Sequence, residues 1–100
     1  MKLFVTTVAA CLSFIGIGSA DEAISPADIS LSFVCSGCHG TQGRGVRDVP
    51  GISGWDPEIF LTAMKAFQSG KRTETVMGRI ARSYDEEEIA ALARYFRGVK

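Results

Sequence analysis

Cys35-Ser36-Gly37-Cys38-His39 decides how the rest of the chain is read. Two thiols three positions apart, followed at once by a histidine, form the C-x-x-C-H spacing that attaches a c-type haem. Each thiol adds to one vinyl group of the porphyrin. The histidine directly after them reaches the iron from the proximal side. His39 is the only histidine in the chain, so its place beside Cys38 carries weight. A zinc site would need about four ligands, and the sequence offers no second cysteine pair and no second histidine. A thioredoxin-like pair expects a βαβ setting, and no strand alternation follows the motif. A Cys35–Cys38 disulfide would close too short a loop to stabilise much.

Upstream, Ser25-Pro26-Ala27-Asp28 starts a helix that runs into the motif. Serine caps it, proline fits its first turn, and an acid stands three residues after the serine. Ala27, Leu31 and Val34 lie on one side of this helix and Ile29 and Phe33 on another, which predicts burial on more than one side. Further upstream, Lys2 precedes an apolar run from Leu3 to Gly18, then Gly18-Ser19-Ala20 and the acidic Asp21-Glu22. That is the layout of a secretory leader over residues 1–20, removed to leave one domain over 21–100. The run is short for a membrane span and lacks a basic flank on its far side, so no stable membrane anchor is expected. Val8-Ala9-Ala10-Cys11 has some likeness to a lipoprotein cleavage site, but the apolar run continues past Cys11, and Cys11 leaves with the leader. The expected address is the periplasm.

The whole chain has 100 residues, 46% hydrophobic and 22% charged, an ordinary balance for one small globular domain. Lysine plus arginine equals aspartate plus glutamate at 11 each, which excludes a general nucleic-acid binder. A domain of about 80 residues makes a marginal core without a staple. A large flat apolar cofactor bonded to the chain supplies one.

Downstream, Gly40, Gly43, Gly45, Pro50, Gly51 and Gly54 mark a long loop. Asp56-Pro57 then caps a helix with Ile59, Phe60, Ala63, Met64 and Phe67 at three- and four-residue spacing. Gly70 ends it. The last helix begins at Asp85 with Glu88 completing a capping box, and Ile89, Leu92, Ala93 and Phe96 form its apolar stripe. Three main helices and no strand are expected, an all-α class.

Methionine opposite histidine is the common second ligand in cytochromes c and raises the potential. Met1 goes with the leader. Met64 belongs to an apolar helix face and reads as core. Met77 stands 38 positions after His39 among mostly polar neighbours, read as a loop without a core role. Met77 is therefore the expected axial ligand and Met64 the alternative.

With these residues in place, the chain resembles a class I cytochrome c. The resemblance implies a small fold of three main helices and long loops wrapped around one covalently bound haem c. Val49-Pro50-Gly51-Ile52 is similar to the proline segment that follows the haem motif in that family. Likeness implies that the Pro50 carbonyl orients His39 and that Ile52 packs on the haem. A narrower likeness lies in Thr75-Val76-Met77-Gly78-Arg79-Ile80-Ala81-Arg82-Ser83-Tyr84, with Cys35 to Gly43 and Trp55-Asp56-Pro57. These resemble the cytochrome subunit of flavocytochrome c sulfide dehydrogenases. Many members of that subunit family carry two haem domains; this chain has room for one.

That likeness implies a redox subunit taking electrons from an FAD-bearing sulfide dehydrogenase and passing them to a downstream cytochrome. FAD would sit on the partner only, and no catalysis is expected from this chain alone, because both axial places on the iron would be filled. The alternative is a freely diffusing periplasmic carrier without a fixed partner. A haem sensor would need Met77 absent or easily displaced. Lys71, Arg72, Arg79 and Arg82 bracket Met77, with Glu74 the one acid among them. They read as a docking face, as partners for haem propionates or as solvated charge. Val76, Ile80 and Tyr84 would supply an apolar docking patch.

Overall fold

The structure, a computed structural model, describes residues 23–73 and 75–99. The expected leader, Cys11 and the cleavage after Ala20 lie outside the described residues. Four helices follow one another: α1 (Pro26–His39), α2 (Pro57–Gln68), α3 (Thr75–Arg82) and α4 (Glu86–Gly98). Among the described residues the one β-type pairing is an isolated bridge, Val46 to Val49.

Local chemistry explains the boundaries. In α1 the Ser25 hydroxyl accepts from the Asp28 amide at 3.2 Å while Asp28 accepts from the Ser25 amide at 3.1 Å. The same reciprocal box opens α4 between Asp85 and Glu88. Asp56 caps α2 through the Glu58 amide at 2.9 Å, with Pro57 at its first position. After α2, Gly70 takes φ +77, the left-handed backbone that closes many helices.

The core lies where α4 packs on both α1 and α2. Ile89, Leu92, Ala93 and Phe96 are all buried on α4, against Phe60, Met64 and Phe67 of α2. Phe96 is fully buried, stacks on Phe60 with centroids 5.8 Å apart and meets Tyr95 edge-on at 5.0 Å. The glycine loop is drawn onto this core at Gly43. Its backbone has φ +71, and a Cβ there would come within 2.6 Å of the Phe96 ring. Only glycine meets both demands.

Two expectations are corrected. The Met77 segment is a helix, not a loop. Met77, Ile80, Ala81 and Tyr84 recur at helical spacing, and this short stripe, hidden among charged neighbours, is enough once α2 offers a surface to pack on. Helix α1 does not bury the side that carries Ile29 and Phe33. It buries Asp28, Ser32 and His39 and packs Leu31 and Cys35 against the core, while Ile29 and Phe33 are exposed. Ser32 is small and ties its hydroxyl back to the Ile29 carbonyl at 2.6 Å, which suits a face packed against α4. Buried Asp28 reaches Arg94 of α4 at 3.7 Å across the same contact.

Candidate haem site

A cavity of about 510 Å³ opens between α1, the glycine loop, α2 and α3, within the range of small-molecule sites. Cys35, Cys38 and His39 enter its lining from the last turn of α1, Val49, Pro50 and Ile52 from the loop, and Met77 from α3. The structure thus brings every candidate site residue to one cavity. Met64 also lines it, from α2, so position on the wall alone does not separate the two methionines. They differ in setting. Met64 is a buried member of the core beside Phe60 and Phe67, whereas Met77 is half-buried on a short helix packed against that core.

His39 is the most constrained of the set. It is buried, and its Nδ1 lies 2.6 Å from the Pro50 carbonyl oxygen. A carbonyl only accepts, so Nδ1 carries the proton and donates. With Nδ1 committed to Pro50, Nε2 is the ring nitrogen left to a metal. The Pro50 carbonyl is held in place by a tight loop. The Gly45 amide donates to the His39 carbonyl at 2.6 Å, and Val46 and Val49 exchange amide–carbonyl bonds at 3.1 and 2.9 Å just before Pro50. The two thiols differ. Burial, with a smaller contribution from Cys38, pushes the Cys35 thiol up despite an opposing backbone hydrogen bond, while Cys38 is exposed at the rim.

The chemistry of this donor set fits haem c. Two thiols, one imidazole and two thioethers line a wall otherwise made mainly of Val, Ile, Phe, Trp and Pro. Among the described residues no cluster of three or more His, Cys, Asp or Glu side chains offers a competing metal site.

Several lining residues escaped the sequence reading as site residues. Phe60 and Phe67 were legible as one helix face, but not as a cavity wall. Val34 and Val76 stand at 60% and 62% exposure on that wall, from α1 and α3. Arg72 is the cation in the lining and lies over the Phe67 ring, 4.4 Å from its centroid. Of the residues expected to supply an apolar docking patch, Val76 is exposed and Ile80 and Tyr84 are half-buried.

An all-helical fold with C-x-x-C-H at the end of its first helix and an apolar, sulfur-lined cavity defines a small c-type cytochrome. Residues 29–100 match the model of the cytochrome c family, and the chain belongs to that family. Membership implies a covalently bound haem c and a function in electron transfer. The chain is 45% identical over 82 residues to the cytochrome subunit of sulfide dehydrogenase from Chlorobaculum tepidum, covering 78% of this chain and 74% of that protein. It is 30% identical over 66 residues to cytochrome c-554(548) from Halomonas halodenitrificans, covering 62% and 80%. A third relative, the thiosulfate dehydrogenase electron acceptor of Stutzerimonas stutzeri, is 33% identical over 69 residues, and the chain spans only 32% of its length. No described helix is long and apolar enough to cross a membrane.

Proposed function

We propose that this chain is the exported haem subunit of a sulfide-oxidising flavocytochrome c, cut after Ala20 and working in the periplasm. Cys35 and Cys38 hold one haem through thioethers. His39 Nε2 and the Met77 sulfur would hold its iron, and Pro50 and Ile52 would complete its surroundings. Bound there, haem supplies one-electron chemistry between ferric and ferrous iron. The protein's own part is to fix the imidazole tautomer through Pro50, to keep water from the apolar wall and to present an edge to a partner. With His39 and Met77 both holding the iron, no position would be left for substrate, so sulfide chemistry would belong to the FAD-bearing partner and this chain would pass electrons on to a downstream cytochrome. The single observation that carries the partner reading is the 45% identity to a sulfide dehydrogenase cytochrome subunit.

A freely diffusing periplasmic carrier is the second reading. It is favoured by the exposed cations Lys71, Arg72, Arg79 and Arg82, which would steer an acidic partner. Purification of the native protein separates the two. The subunit reading expects a 1:1 complex with an exported FAD protein that survives high salt in gel filtration. A cytochrome found alone at low salt, whose reaction with its partner is suppressed by salt, supports the free carrier and rejects the subunit.

A further inference from the structure

We propose that Gln68 is a positioning residue for the Met77 sulfur. The inference rests on the reading of Met77 as an axial ligand. It goes beyond that reading by naming what holds the helix that carries the methionine.

Helix α3 has eight residues, too few to be stable or well placed on its own. Its position must come from tertiary contacts, and its last carbonyls need donors. The Ile80 carbonyl takes the Ser83 amide at 3.0 Å and the Ser83 hydroxyl at 2.6 Å, both from within the same turn. The Ala81 carbonyl is different. Besides the Tyr84 amide at 3.3 Å it accepts from Gln68 Nε2 at 2.9 Å, a donor 13 positions away at the end of α2. The same Nε2 donates to the Tyr84 carbonyl at 3.1 Å. Both acceptors are carbonyls, so the amide must turn its NH₂ toward them and use both hydrogens. A glutamate of the same length has no such pair of donors, a leucine has none at all, and asparagine is one methylene short.

The clamp acts on Met77 through geometry. Ala81 lies one turn beyond Met77 on the same face of α3 and is fully buried. Holding its carbonyl to α2 sets both the height and the rotation of that face. The face presents Met77 to the cavity. Gln68 is thus joined to the sulfur by a single turn of helix and is not itself part of the cavity lining.

The test uses ferric holoprotein and imidazole, a probe that competes with the sulfur for the iron. Its apparent affinity scales with the fraction of molecules in which the sulfur is off. Gln68→Leu is expected to raise imidazole affinity about tenfold, the equivalent of one or two ordinary hydrogen bonds, and to lower the reduction potential. Gln68→Asn should give a smaller rise of about threefold; it stands in should the leucine variant yield no holoprotein. Asp28→Asn is the comparator: it weakens the α1–α4 contact and lowers thermal stability, and its imidazole affinity should stay within about twofold of wild type. Should the comparator rise as far as the Gln68 variants, general loosening explains the effect and the proposal falls. Met77→Ala separates the proposal from the reading beneath it. If that variant loses the charge-transfer band of a sulfur ligand while both Gln68 variants bind imidazole as wild type does, the positioning role is overturned and the ligand assignment stands. If Met77→Ala keeps the band, the assignment fails and takes the proposal with it.

Discussion

His39 donates its Nδ1 proton to the Pro50 carbonyl across 2.6 Å, although the two residues stand 11 positions apart. The bond ties the end of α1 to the far end of the glycine loop. It leaves one nitrogen of the ring for the iron, and it makes that nitrogen a stronger donor.

Loosening this bond should therefore be visible in the potential. Pro50→Ala frees the backbone on which the carbonyl is carried. A weaker bond makes His39 a poorer donor, which favours ferrous over ferric iron. Each 1 kcal/mol by which the bond is stronger in the ferric than in the ferrous state corresponds to about 40 mV for a one-electron couple, so its loss should raise the potential by up to about 40 mV. Spectroelectrochemical titration checks the sign, and a fall in potential contradicts the argument.

Covalent attachment should follow from the two thiols. Acid-acetone is expected to leave the haem on the wild-type chain, and the mass of the purified protein should exceed its polypeptide by one haem. Cys35→Ala should largely abolish stable holoprotein, because so small a core depends on its cofactor. Haem that extracts freely from wild type made in a host with attachment machinery would show that no thioether forms.

The two methionines on the cavity wall are separable by spectrum. Met77→Ala should remove the red charge-transfer band of ferric sulfur ligation and lower the potential. Met64→Leu conserves volume at a buried core position, so it should keep the band and cost less than about 1.5 kcal/mol of stability. The reverse pattern would assign Met64 as the ligand.

Gly43 should tolerate no side chain. Gly43→Ala must hold an L residue at φ +71 and place a methyl within 2.6 Å of Phe96. Left-handed strain and overpacking each cost about 1–3 kcal/mol, and the expected loss in chemical denaturation is at least about 2 kcal/mol. Gly70→Ala is the control: its φ is +77, but a Cβ there meets nothing within 4 Å, so only the strain remains. Equal losses at the two positions would show that the contact with Phe96 is unimportant.

Much of this protein is legible along the chain because its signals are local. The serine and aspartate boxes at Ser25 and Asp85, proline after Asp56, and the stripe Ile89, Leu92, Ala93 and Phe96 each span a turn or two of helix. Their physics is complete within a few residues. C-x-x-C-H is local for the same reason, since two thiols and an imidazole must reach one porphyrin from one helical turn.

What needed the third dimension is every statement about which surfaces meet. The apolar α1 side chains Ile29 and Phe33 read as core, yet packing of α1 on α4 buries Asp28 and Ser32 instead. The methionine segment reads as loop because its stripe is too short to declare a helix alone; α2 supplies the missing energy by giving that stripe a surface and its carbonyls a donor in Gln68. Met64 and Met77 come to one wall only after α2 and α3 pack together. Sequence spacing reports what neighbours along the chain can do for each other, while the cavity, the clamp on α3 and the bond from His39 to Pro50 join residues that are close only after the chain has folded.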